Sequence, residues 1–92
     1  MIKDLKFEIY NELYVYLGGE ISKGCLELTS EVYGDDDYPD SEKHYVFTES
    51  QTEKLFSLIN LEEFIDSCRR GHLLWLEWFL RENRITPREW VY

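Results

Sequence analysis

The hydrophobic pattern of this chain changes its period once, near Thr48, and that change limits the fold more than any other feature. Before Thr48, apolar and polar residues alternate, as from Leu5 to Ile9, which indicates half-buried β-strands. After it, apolar residues recur at helical spacing, as from Leu61 to Cys68. Strands followed by helices predict an α+β fold. We expect a single domain over residues 1–92, with an antiparallel β-meander in the N-terminal half followed by three C-terminal helices packed on one face.

The strand half contains breaks that predict turns. In the first strand, Tyr10 falls on the polar side of the alternation, opposite Phe7. The pair Gly18–Gly19 predicts either a hairpin turn or a bulge, and Lys23–Gly24 predicts the next turn. We expect the last strand to run from His44 to Thr48.

The helical half carries its own start and stop signals. The segment from Ser50 to Glu53 matches a capping box and predicts the start of the first helix. The second helix is expected between Asn60 and Gly71, and a third from His72 to about Asn83. Thr86, followed by a proline, predicts a terminal helical turn. The apolar side chains that we expect to be buried in this fold are Phe7, Leu28, Phe64, Ile65, Leu76 and Phe79.

Cysteine usage and hydropathy indicate the cellular setting. Cys25 and Cys68 lie far apart, and a secreted domain of this size usually carries more disulfide bridges, so we expect reduced thiols. The N-terminal residues form no signal-peptide pattern. The longest apolar stretch, Leu73 to Leu80, contains Glu77 and is too short to span a bilayer. The sequence therefore predicts a cytoplasmic protein without a membrane segment.

The net charge of −9 is concentrated in one part of the chain. The window from Glu27 to Glu53 holds nine acidic residues and one base, Lys43, whereas the remainder holds ten acids and nine bases. Nucleic acids and anionic membranes bind basic surfaces, so direct binding to either is not expected. A basic protein partner is favoured instead, because the acidic window would steer such a partner toward it.

The acidic segment from Asp35 to Glu42 is the first candidate site. Its spacing does not fit a calcium loop, because Pro39 and Asp40 occupy the positions where a ligand and a glycine are required. Two interpretations remain: a solvated turn, or a surface that docks on a basic site of a partner. The candidate partner-binding residues of this segment are Asp35, Asp36, Asp37, Tyr38, Asp40 and Glu42. Flanking acids that would extend the same field are Glu27, Glu31, Glu49 and Glu53.

The apolar helix expected from His72 to Asn83 supplies the second candidate site. Its polar strip is narrow, so most of its surface is apolar and must pack against other parts of the fold or a partner. Either the sheet and a neighbouring helix provide that cover, or Trp78 is left exposed as an interface anchor, since tryptophan is enriched at binding hot spots. We therefore include Trp78 among the candidate partner-binding residues.

The sequence carries no pattern that supports catalysis or metal binding. No two of its histidines and cysteines lie at a zinc-ligand spacing such as CxxC or HxxxH. Cys68 and His72 would share a helix face as nucleophile and base, but Gly71 between them is expected to end the helix. No GxSxG, P-loop, HExxH or GxGxxG motif is present. We therefore expect a protein that is not an enzyme and that needs no metal or cofactor.

In size, acidity, element order and lack of a catalytic motif, the chain resembles the small immunity proteins of polymorphic and contact-dependent toxin systems. The likeness covers the whole chain and rests on no motif, so it transfers no site residue. It implies a stoichiometric inhibitor that binds and neutralises a basic partner such as a nuclease toxin. The chain also resembles phage inhibitors of the anti-CRISPR and nucleic-acid-mimic type. Two further alternatives remain: a small enzyme or metal-binding regulator that uses the aspartate cluster, and a small structural or oligomeric interaction domain.

Overall fold

A computed structural model describes residues 3–34 and 39–91 of the chain, with the backbone alone at residues 39 and 40. Over these residues the chain forms five strands and two helices in the order β1 (Leu5–Asn11), β2 (Val15–Ser22), β3 (Cys25–Tyr33), β4 (Pro39–Val46), α1 (Glu49–Leu58), α2 (Leu61–Glu82) and β5 (Arg88–Val91). All neighbouring strands are antiparallel, and their order in the sheet follows the chain. The predicted α+β class and the N-terminal antiparallel meander are confirmed.

The β2–β3 hairpin shows how local sequence sets the register. Its two loop residues, Lys23 and Gly24, both have positive φ, at 53° and 79°. Positive φ at both positions is the type I′ geometry that suits a two-residue hairpin, and glycine adopts it without steric cost. The loop places Ser22 opposite Cys25 and thereby fixes every other pair between the two strands. The predicted turn at Lys23–Gly24 is confirmed.

The predicted turn or bulge at Gly18–Gly19 is wrong, because both glycines lie inside β2 and pair with β1 and β3. Aromatic rings occupy the space that side chains would fill there. Tyr16 covers Gly18 on one face of the sheet, and Phe7 covers Gly19 on the other. The irregularity lies in β1 instead, where the register shifts between Glu8 and Tyr10.

The bulge in β1 reverses the predicted orientation of Tyr10. Strand alternation predicts Tyr10 on the polar face, which is wrong, because its ring lies on the helix side and meets His72 with the ring centroids 5.1 Å apart. At the bulge, Arg69 of α2 donates from Nε to the carbonyl oxygen of Ile9 at 2.8 Å. A backbone group that the irregular pairing would leave unsatisfied therefore has a partner.

Both helices begin at side-chain caps. At α1, Thr48 Oγ1 accepts the N–H of Gln51 at 3.1 Å, and Gln51 Oε1 accepts the N–H of Thr48 at 2.9 Å, which is a reciprocal capping box. The box predicted at Ser50 is wrong, since Thr48 and Gln51 offer the same spacing earlier in the chain. At α2, the Asn60 side chain accepts the N–H of Glu63 at 2.8 Å, so the predicted start after Asn60 is confirmed.

The prediction of three C-terminal helices is wrong, because the second and third form one kinked helix, α2. His72 interrupts this helix with φ 55° and ψ −152°, and helical structure resumes directly after it. Gly71, the predicted helix end, lies next to the kink. A single residue in the left-handed region redirects the helix without adding a loop, so both segments remain packed on the sheet.

The C-terminal segment also differs from the prediction. The cap pattern at Thr86 predicts a helical turn, whereas Arg88–Val91 forms the edge strand β5, paired with β4. Gln51 of α1 donates from Nε2 to the carbonyl oxygen of Thr86 at 2.8 Å and holds the segment that leads into β5. Hydrogen bonding to the unpaired backbone groups of β4 stabilises the strand more than the cap pattern at Thr86 stabilises a helical turn. The order of elements is therefore not strictly strands and then helices.

Both helices pack on the same face of the sheet and enclose one core. Phe64 is completely buried there, with its ring centroid 5.9 Å from that of Phe56 and 6.0 Å from that of Trp75. Of the predicted core residues, those that are completely buried are Leu28, Phe64 and Leu76, and those that pack against the core while partly exposed are Phe7, Ile65 and Phe79. The remaining buried apolar residues are Ile9, Leu17, Ile21, Leu26, Tyr45, Phe47, Leu55, Cys68, Leu80 and Ile85.

Thr52 is the buried polar residue that joins α1 to the sheet. Its hydroxyl accepts the backbone N–H of Leu26 at 3.0 Å and donates to the carbonyl oxygen of Thr48 at 2.8 Å. Because the hydroxyl uses both its donor and its acceptor capacity, the cost of burying it is compensated.

Replacing Phe64 by alanine is expected to lower the free energy of unfolding by about 3–5 kcal/mol, because the change removes a buried ring and leaves a cavity. Chemical denaturation followed by circular dichroism measures the loss. The control is Leu58→Ala on α1, where the leucine is 50% exposed and truncation is expected to cost about 1 kcal/mol or less. Equal losses for the two variants would contradict the assignment of Phe64 to the centre of the core.

Candidate partner-binding surface

The sheet face opposite the helices is polar, and neither helix of the described chain covers it. Strand alternation directs Leu28 and Tyr45 into the core and their neighbours Thr29 and His44 to the other side. We refer to this other side as the outer face. Its principal described residues are Lys6, Glu8, Tyr16, Gly18, Glu20, Glu27, Thr29, Glu31, Tyr33, Glu42, His44, Arg88 and Trp90.

Carboxylates dominate the charge of the outer face, where five glutamates stand against one lysine and one arginine. Glu31 lies directly opposite Glu42, and Glu20 lies directly opposite Glu27. Like charges directly opposite one another destabilise a sheet. Lys6 pairs with Glu20 from β1 and offsets part of the second repulsion. Within the described ranges, no lysine or arginine lies at ion-pair distance from Glu31 or Glu42.

His44 lies between two of the outer-face carboxylates. Its Nε2 atom is 2.9 Å from Glu42 Oε1, and its Nδ1 atom is 3.4 Å from Glu27 Oε1. The Thr29 hydroxyl is 3.3 Å from Nδ1. His44 therefore contacts one carboxylate of β3 and one of β4 and bridges the two strands on the outer face.

Tyr33 accompanies Glu31 at the end of β3. Its phenol donates a hydrogen bond to Glu31 Oε2, and this bond raises the pKa of the Tyr33 hydroxyl. The phenol is therefore protonated at neutral pH and orients the Glu31 carboxylate. An aromatic side chain consequently stands beside the repelling pair of Glu31 and Glu42.

A cleft of about 450 Å³ opens in the outer face where β1, β2 and β3 meet. Thr29 contributes a short side chain to its floor, and the Tyr16 ring covers Gly18 beside it. The other outer-face side chains that line it are Lys6, Glu8, Tyr16, Glu20 and Glu27. Three carboxylates to one ammonium group give the cleft a negative charge, which favours a cationic side chain.

The indole ring of Trp90 borders the outer face at β5. Trp90 pairs with His44 across the β4–β5 ladder. The Arg88 guanidinium lies over the Trp90 ring, 4.8 Å from its centroid. This cation–π contact keeps one of the few cations of the outer face at its edge.

The structure separates the predicted site residues. Asp35, Asp36, Asp37 and Tyr38 lie outside the described residues. The backbone of Asp40 lies in β4. Glu42 lies on the outer face, half-buried, where it contacts His44. Trp78 lies on α2 with 49% of its surface exposed, on the opposite side of the sheet from Glu42, so the two do not form one continuous site.

The flanking acids divide between the two sides in the same way. Glu27 and Glu31 lie on the outer face, whereas the two flanking acids of α1 do not. Sequence reasoning misses Glu8 and Glu20, because both lie outside the acidic window. The alternation of β1 and β2 is the signal that identifies them, since they occupy the polar positions of those strands.

Cys68 lacks the setting of a catalytic nucleophile. It is completely buried, and burial raises the pKa of its thiol to about 12, so it is not a thiolate at neutral pH. His72 is exposed, and its ring meets Tyr10. Cys25, like Cys68, is a free thiol. Within residues 3–34 and 39–91, no group of three histidine, cysteine or acidic side chains is arranged to hold a metal ion.

Comparison with known proteins assigns the chain to no family. Searches against protein-family models, curated proteins and solved structures find no significant match. The likeness to immunity proteins in size, charge and element order therefore stays a prediction. In the part of the chain that the structure describes, neither helix combines the length and apolar character that crossing a membrane requires.

Replacing Glu31 by glutamine is expected to raise the free energy of unfolding at low ionic strength by about 0.2–1 kcal/mol, because repulsion with Glu42 is removed. The amide oxygen still accepts the hydrogen bond from Tyr33. Urea denaturation at low and high salt measures the effect, and screening should reduce it at high salt. The control is Glu53→Gln on α1, an exposed residue whose change removes the same charge. A loss of stability with Glu31→Gln, but not with the control, would contradict this account, because it would mean that the Glu31 carboxylate stabilises the fold.

Proposed function

We propose that this protein is a stoichiometric inhibitor of the immunity type, which binds and neutralises a basic protein partner such as a nuclease toxin. The binding surface is the outer face of the sheet together with the acidic segment from Asp35 to Glu42. The observation that carries the proposal is the position of Glu31 directly opposite Glu42 on a sheet face that neither described helix covers.

Repulsion on the outer face lowers the stability of the free protein and contributes nothing to the core. A basic partner reverses this effect, because a lysine or arginine placed between two glutamates converts repulsion into attraction. The field of the outer face also speeds the encounter with such a partner, by roughly 10- to 1000-fold. Tyr16 and Tyr33 add aromatic surface of the kind that is enriched in protein interfaces.

The proposed role is one of binding and requires no catalytic group. Cys68 is a buried thiol, and His72 is an exposed ring held against Tyr10, so neither supports nucleophilic attack. The negative outer face repels nucleic acid and anionic lipid alike, which favours a protein as the partner.

The groove in which the partner holds nucleic acid is the site that the outer face fits best. Such a groove carries lysine and arginine because it binds phosphates. An inhibitor seated there excludes the nucleic acid and thereby blocks a nuclease. Inhibition by nucleic-acid mimicry, as in the phage inhibitors, is the same interaction with a different basic partner.

Three variants with the same change of charge test the proposal. Each removes four negative charges, so they differ only in where the charge is lost. The outer-face variant combines Glu20→Gln, Glu27→Gln, Glu31→Gln and Glu42→Gln. The segment variant combines Asp35→Asn, Asp36→Asn, Asp37→Asn and Asp40→Asn. The helix variant, the matched control, combines Glu49→Gln, Glu53→Gln, Glu62→Gln and Glu63→Gln.

The partner is captured on immobilised wild-type protein at low ionic strength, identified and purified, and association rates are then measured against ionic strength. We expect the outer-face variant to associate at least about 10-fold more slowly and with a flatter salt dependence, and the helix variant to stay within about twofold of wild type. Equimolar wild-type protein should abolish the activity of the partner, and nucleic acid should compete for binding. An outer-face variant that associates at the wild-type rate at every ionic strength would contradict the proposal.

A further inference from the structure

The second half of α2 presents an apolar face to solvent. Leu74 is 82% exposed and Trp78 is 49% exposed. Together with Glu77 and Arg81 they follow the spacing i, i+3, i+4 and i+7, so all four lie on one face of the helix. Leu74 also borders an apolar cleft of about 320 Å³ at the end of the sheet, which Val32 helps to line. Large apolar side chains grouped on a surface mark binding sites.

This helical face differs from the outer face in its charge. Glu77 and Glu82 of this face are balanced by Arg81 and by Arg84, which lies just beyond the end of the helix. A second copy of a chain with a net charge of −9 is repelled by the outer face but not by a balanced patch. A two-fold contact requires a patch that is complementary to itself, and a patch with both signs of charge meets that requirement.

Glu77 and Arg81 are placed to pair across such a contact. Lys43 Nζ and the Tyr45 hydroxyl each contact Glu77 Oε1 at 3.3 Å and hold this side chain, half of which stays exposed. Arg81 is exposed, and among the described residues no carboxylate lies at ion-pair distance from it. An exposed arginine beside an exposed tryptophan is the composition of an interface centre.

We propose that two copies of this chain associate through the second halves of their α2 helices, as an antiparallel pair with two-fold symmetry centred near Phe79. Positions 77 and 81 are equally distant from that centre, so Glu77 of each copy lies opposite Arg81 of the other. Trp78 lies beside the symmetry axis, where binding energy concentrates. The same antiparallel arrangement therefore satisfies both the charge pairing of Glu77 with Arg81 and the apolar contact of Trp78.

The same arrangement gives Leu74 a place to insert. It brings Leu74 of one copy to the level of position 84 of the other. A cleft of about 580 Å³ lies there, between the end of α2 and the sheet, and its apolar lining includes Leu80, Ile85 and Pro87. Each copy thus offers both an exposed leucine and a cleft that receives one. The outer faces take no part in the contact, so the association is independent of the proposed inhibitor function.

Sedimentation velocity from micromolar to near-millimolar protein tests the association. We expect a species with twice the 11.2 kDa mass of one chain. Trp78→Lys should raise the dissociation constant about 30-fold or more. Leu58→Lys, at an equally exposed position on α1, should leave it unchanged. A wild-type protein that stays monomeric throughout, or a dimer that Trp78→Lys does not weaken, overturns the proposal.

Charge reversal tests the antiparallel register. Glu77→Arg places arginines opposite each other twice and should weaken association at least about 10-fold. Adding Arg81→Glu to the same chain should restore association, because the exchanged charges again attract. Circular dichroism verifies that each variant is folded. A double variant that does not regain association overturns the pairing of Glu77 with Arg81 and with it the proposed geometry.

Discussion

The packing of both helices against one face of the sheet is the interaction on which the other features depend. Phe64 of α2, Leu55 of α1 and Leu28 of β3 are completely buried in this contact. Burial of such side chains supplies the main favourable free energy of folding in a small domain. With one face of the sheet committed to the core, the opposite face is left to solvent. Glutamates that lie opposite each other across strands avoid the cost of burying charge on that face.

The two layers of the molecule carry different distributions of charge, and these suit different contacts. The outer face is dominated by one sign, which attracts an unlike, basic partner and repels a second copy of the chain. The face of α2 around Trp78 is balanced in charge, which permits a contact between like molecules. His44 belongs to the first surface alone, since it lies between Glu27 and Glu42 on the outer face.

The features predictable from the sequence are those that neighbouring residues determine. The turn at Lys23–Gly24 and the start of α2 after Asn60 follow from local backbone chemistry. Strand β5 does not, because it forms only where β4 offers an unpaired edge. The break in α2 at His72 is local too, because Gly71 predicts a helix end there, whereas the continuation of both segments as one helix is not predicted. For the site, the charge window includes Glu31 and Glu42, but their opposition depends on register. Glu20 is missed because only pairing between strands brings it to Glu27.

Carboxylate footprinting of the complex with the captured basic partner tests the outer face as a binding surface most directly. A carbodiimide couples an amine to each accessible carboxyl group, and mass spectrometry reports the extent of coupling at each residue with and without the partner. We predict that Glu27, Glu31 and Glu42 lose labelling in the complex, while Glu53 and Glu62 on the helices are labelled as in the free protein. Protection confined to the helices, with the outer face labelled as fully as in the free protein, would contradict this binding surface.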